Sequence, residues 1–122
     1  MMLIWGAAGC ERHKTPRAEA EAALCFTLPP GAADIQVEDS SDFLMEHRIV
    51  SFTLPASELA TVVPRLPCRP SATETLDFMS TMDPPGPGEQ VCETGKFNDF
   101  EAVKLSPVEG ERVRVFVEKF AG

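Results

Sequence analysis

The chain has 122 residues, is 43% hydrophobic, and sets 11 Lys and Arg against 19 Asp and Glu, a formal net charge of -8 at pH 7. That length holds one domain with a modest core, burying roughly 65% of the surface that the unfolded chain exposes. Nucleic-acid binding draws its affinity from cations that neutralise phosphates, so this balance excludes it, while the acidic stretches at residues 34–46 and 74–101 read as solvated faces.

Residues 1–10 (MMLIWGAAGC) are apolar and end in small residues before a cysteine. Ala7-Ala8-Gly9-Cys10 resembles the lipobox of bacterial lipoproteins, with Ala7 where that family usually carries Leu. The resemblance implies acylation of the Cys10 sulfur and cleavage of the bond before it. It implies a protein anchored in a membrane through that lipid and facing the periplasm or the cell exterior. Only a thiol is nucleophilic enough for such alkylation. A secretory signal opens with a basic segment, and ten apolar residues fall short of the about 20 that span a bilayer. With the paired Met1-Met2, this leads us to expect a start lying upstream. The plainer reading is an N-terminal strand with Cys10 a buried thiol. Residues 11–23 (ERHKTPRAEAEAA) lack any large apolar side chain and predict a polar tether or a loosely helical spacer, leaving residues 24–122 as the folded domain.

Residues 35–38 alternate as a short strand, and residues 45–53 form the next, with Val50 and Phe52 on one face and Ile49 and Ser51 on the other. The polar segment 38–42 between them is a turn. Pro55 opens a helix whose Leu59, Val62, Val63 and Leu66 share a stripe, cut short by Pro64. Ser71-Ala72-Thr73-Glu74 matches a capping box for a second short helix with Leu76, Met79 and Met82 inward, ended by the prolines of residues 84–88. Residues 102–106 and 112–119 are strands joined by a turn, with Val113, Val115 and Val117 on one face. The sum is an α+β domain: an antiparallel sheet of about four to five strands, covered on one face by one or two short helices. Leu28-Pro29, Ala33, Ile35 and the run Val50-Ser51-Phe52-Thr53-Leu54-Pro55 leading into a helix resemble uncharacterised lipoproteins of high-GC bacteria. That likeness adds to the address and implies no activity.

The four cysteines, Cys10, Cys25, Cys68 and Cys92, lack the spacing of a zinc or redox site. With Cys10 taken by lipid, Cys68 and Cys92 flank the proline-rich stretch and are the preferred disulfide. Cys25, within residues 24–28, then reads as a small buried hydrophobe; its pairing with either of them stays open, and without lipidation all four can pair. His13 falls in the tether, and His47 reads as a surface or edge histidine whose neighbours Glu46 and Arg48 point to the other face. Residues 38–42 invite a calcium reading but lack the Gly and bidentate Glu of an EF-hand. Gly86 and Gly88 are bracketed by prolines and make no phosphate loop. No catalytic set, metal or cofactor is expected.

The sequence therefore points to a non-catalytic envelope lipoprotein, a small binding or accessory module with a protein partner of unknown identity. Its expected partner surface is the strand face carrying Arg112, Arg114, Phe116 and Glu118, unless Phe116 covers a second small core. A secreted inhibitor or immunity-type protein with an acidic face is one alternative, and a small carboxylate-dependent hydrolase another.

Overall fold

The structure, a computed structural model, describes residues 15–76, 80–96 and 99–122. Cys10 and His13, and Met79 of the expected second helix, lie outside the described residues. The described chain forms helix α1 (Pro16–Leu24), strands β1 (Ala33–Asp39) and β2 (Glu46–Pro55), one helical turn α2 (Leu59–Val62) between 3-10 turns at Ala56–Glu58 and Val63–Arg65, and strands β3 (Gln90–Lys96), β4 (Asp99–Val108) and β5 (Arg112–Ala121). The five strands make one antiparallel sheet in the order β1-β2-β5-β4-β3. The domain is α+β, as expected.

Pairing places Val117 between Val50 and Val103, and Val115 between Phe52 and Leu105. Those side chains share one face and form the core with Ala20, Leu28, Val62 and Leu66 from the covering helices. Period-2 alternation on central strands produces this face, because a side chain on β2 or β5 has neighbours on both sides.

The sequence predicts a tether or a loosely helical spacer over residues 11–23; from Pro16 onward the structure has helix α1, docked on the sheet with Ala20 fully buried rather than standing clear of the domain. A small side chain lets the helix lie close. The Thr15 hydroxyl caps it by accepting from Ala18 N at 3.0 Å, and Pro16 at the first position loses no hydrogen bond. Arg17 Nη1 and Nη2 donate to the carbonyls of Leu28 and Pro29, both at 3.0 Å, and Glu21 accepts from Leu28 N at 2.9 Å. The polar residues of α1 thus hold the turn that follows it, so the folded unit begins before residue 24.

The stretch from the capping-box motif onward also departs from expectation. Ser71 makes an isolated bridge to Val91, its hydroxyl accepts from Thr73 N at 3.1 Å, and no helix forms among the described residues of 71–82. The short side chain closes a local turn in place of a helix cap. Beyond it, Ser80 to Glu89 runs as a strap over the sheet face opposite α1. Lys104 on β4, nearly buried, donates to Asp83 O at 3.1 Å and pairs with Glu89 at 3.4 Å. Glu89 in turn accepts from Gly86 N at 2.7 Å and from the Ser106 hydroxyl at 2.5 Å. The Cys68–Cys92 disulfide closes the base of this excursion across a separation of 24 residues.

Candidate functional site

The strap covers a carboxylate. Alternation along β5 turns Glu118 away from the core face, and on an open sheet that position faces water. Here the side chain of Glu118 has no exposed surface. Ala102 and Ile49 stand opposite it on the neighbouring strands, and the small alanine leaves room for the strap to descend. Ser80 Oγ donates to Oε1 at 2.7 Å, Thr81 Oγ1 donates to Oε2 at 2.6 Å, and Thr81 N lies 3.2 Å from both oxygens. His47 on β2 completes the set, its Nε2 lying 2.7 Å from Oε2.

Burial pushes the Glu118 carboxyl up, since the charged form loses its water. The hydrogen bonds from Thr81, His47 and Ser80 outweigh that and leave it below the usual carboxylate range. An ionised carboxylate only accepts, so His47 Nε2 carries the shared proton. Phe120 stands opposite His47 with ring centroids 6.0 Å apart, and stacks on Phe100 at 5.4 Å, walling one side of the cluster. No buried side-chain nitrogen or oxygen among the described residues lacks a partner.

This geometry holds a loop. Ser80 and His47 each donate a hydrogen bond to the Glu118 carboxylate, so both are donors on a common acceptor. Of the three carboxylates in the expected turn, Asp39 and Asp42 are occupied as well. Asp39 Oδ1 accepts from Ser41 N at 2.8 Å, and Asp42 Oδ1 accepts from Leu44 N at 2.7 Å and Met45 N at 3.0 Å. Those oxygens shape the hairpin, and no group of three or more His, Cys, Asp or Glu among the described residues is placed to hold a metal ion.

The four residues expected to form a partner surface do not stand together as a free face. Glu118 is sealed under the strap. Arg112 is turned inward, with Nη2 donating to Gly31 O at 2.9 Å and Thr53 Oγ1 at 3.0 Å. Arg114 pairs with Asp34, which a bulge in β1 and a φ of 50° aim toward it. That guanidinium holds the Asp34 carboxyl below its ordinary range. Phe116 is half-buried between Ser51 and Lys104. The physical reason is one the strand pattern does not carry: a distant segment returns to cover this face.

No family model, curated protein or solved structure matches this chain. The site is therefore read from its own residues. Elsewhere on the surface an open cleft of about 380 Å³ lies between Thr27, Pro29 and Pro30 on one side and Glu58, Thr61, Val62 and Arg65 on the other. Glu58 accepts from Gly31 N at 3.3 Å, and a Cβ on Gly31 would come within 2.6 Å of its carboxylate, so a larger residue there would move the Glu58 side chain aside. No helix among the described residues is long and apolar enough to cross a membrane.

Sequence reasoning places His47 with Ile49 and Ser51 on one face but misses its partner. The signal was present in part: His47 and Glu118 both fall on the faces turned away from the apolar stripes. What brings them within hydrogen-bond reach is the β2–β5 register, His47 opposite Phe120 and Ile49 opposite Glu118.

Proposed function

We propose that the protein is a non-catalytic binding or accessory module of the cell envelope, held at a membrane by a lipid on Cys10. The observation that supports this best is the Cys68–Cys92 disulfide, which ties the strap's base to β3. Structural disulfides persist in oxidising compartments, in keeping with export under a lipobox-like leader. The polar groups under the strap are in the same spirit: the buried Glu118 and Lys104 and the partly buried His47 and Ser80 fix a loop, as a scaffold requires.

Intact mass of membrane-fraction protein, expressed in a bacterial host with a basic segment added ahead of Met1, tests the reading. The expected product begins at Cys10, carries acyl mass there, has Cys68 and Cys92 oxidised, and leaves the exposed Cys25 as a free thiol. Unprocessed polypeptide in the soluble extract with a titratable Cys10 overturns it.

A further inference from the structure

We infer that the β1–β2 hairpin tip, Phe43-Leu44-Met45, is a docking knob for a partner protein that offers an apolar pocket with a basic rim. The inference rests on the binding-module reading and names the surface and the partner's chemistry.

Phe43 is 95% exposed and Leu44 71%, and Met45 beside them is also exposed. Single exposed apolar residues are ordinary, but three in a row at the end of a hairpin make a contiguous protruding patch with no contribution to the core. A turn of this kind normally takes polar residues. Aromatic side chains and methionine are the types enriched where proteins meet.

The tip is also built to hold its shape. Asp42 N donates to Met45 O at 2.9 Å while the Asp42 carboxylate gathers Leu44 N and Met45 N, so the four-residue turn is closed from both directions. Below it, Ser40 N donates to His47 O at 2.8 Å and His47 N donates to Ser41 Oγ at 3.0 Å. A knob fixed before contact loses less entropy on binding. His47 links this base to Glu118, so the knob and the strap share one anchored strand.

Charge selects the occupant. Around the apolar tip stand Glu38, Asp39, Asp42 and Glu46; against these four carboxylates are Arg48, already paired to Asp39 at 3.2 Å and Glu46 at 3.1 Å, and Lys119 opposite it on β5. The remaining field is negative. It opposes an anionic lipid surface and a second copy of a chain of net charge -8, and it favours Lys or Arg beside the pocket that takes Phe43. Position agrees. Arg17 near the start of α1 meets the Leu28–Pro29 turn, while Ala22 and Ala23 near its end lie beside Asp39 and Arg48. The chain thus enters the domain at the end of the sheet opposite the tip, so an N-terminal membrane anchor leaves Phe43 facing outward.

The test selects peptides from a random phage-displayed library on the full-length protein and measures binding of the synthesised winners. The expected peptides combine Lys or Arg with aromatic or aliphatic residues, weaken as salt is raised, and lose about tenfold or more in affinity to each of Phe43→Asp and Leu44→Asp. Both variants keep the parent's melting temperature, because neither side chain is packed. Winners that bind both variants unchanged but fail on Thr61→Lys in the open cleft overturn the inference and leave the binding-module reading standing. Two controls also overturn it: binding of anionic phosphatidylglycerol vesicles, or self-association in sedimentation, that depends on Phe43. A library yielding no binder removes the binding-module reading together with this one.

Discussion

Glu118 carries more of this fold than its place in the sequence suggests. A carboxylate whose native pKa is depressed contributes stability above its unfolded value and loses it as pH falls through the native value. Its stabilisation is therefore fully present above the ordinary glutamate value of 4.5 and is lost as pH falls below it through the depressed native value. Asp34, Asp39 and Glu89 shift the same way, through hydrogen bonds from Arg114, Ser41 and Gly86 respectively, but they are solvated and add little. Glu118→Gln is expected to cost about 1–3 kcal/mol at neutral pH, and to flatten the acid limb of a melting-temperature profile. An acid limb as steep as the parent's would show that other carboxylates dominate. Gly95 is the second sensitive residue. It adopts φ 107° beside the β3–β4 connection, and a Cβ there would stand 2.3 Å from Asp99 O. Gly95→Ala combines unfavourable φ, about 1–3 kcal/mol, with a backbone clash, and is expected to lower the urea midpoint sharply. Neither effect is visible locally: a Glu in an alternating strand and a Gly near its end are both ordinary.

Among the elements, the strap is the least independent. Between Cys68 and β3 it forms no helix among its described residues, and it is held by the disulfide, by Ser80 and Thr81 on Glu118, and by Lys104 and Ser106 through Asp83 and Glu89. Closing a loop of this length stabilises by roughly 3–4 kcal/mol on the chain-entropy account. Reduction, or the paired Cys68→Ser and Cys92→Ser change, is expected to lower the unfolding free energy by about that amount, read by urea titration with and without reductant. Thr81→Ala removes a hydroxyl donor from a buried carboxylate. It is expected to speed amide exchange at residues 80–83 with smaller changes in β5, because segments open locally before the sheet does. Helix α1 teaches the same lesson from the other side. Its composition, Ala and Glu with no large apolar residue, reads as a spacer. Yet Thr15 caps it, Ala20 fits against the sheet, and Arg17 and Glu21 bond the turn beyond it. Short helices draw their stability from such tertiary contacts more than from propensity.

For the whole molecule, carboxylates are spread along a chain of net charge -8, and four of them, Glu38, Asp39, Asp42 and Glu46, fall in or beside the β1–β2 hairpin. Cys25 sits exposed at the end of α1 with φ 66°, away from the Cys68–Cys92 bridge. Cys25→Ser is expected to leave melting unchanged, within about 0.5 kcal/mol, and to remove the free-thiol signal of the described residues in a thiol titration.

The apolar face of the sheet was legible because alternation is a local property. Residues two apart on one strand share a face whatever they pair with, so Val113, Val115 and Val117, and Val50 and Phe52, announce a core unaided. Proline and cysteine spacing likewise marked the excursion and its disulfide. The second face was not legible. Whether Glu118 meets water or a strap depends on β5 lying between β2 and β4, and on residues 80–81 returning across the sheet. Those are contacts between segments far apart in the chain, and only the assembled structure determines which donors reach that carboxylate.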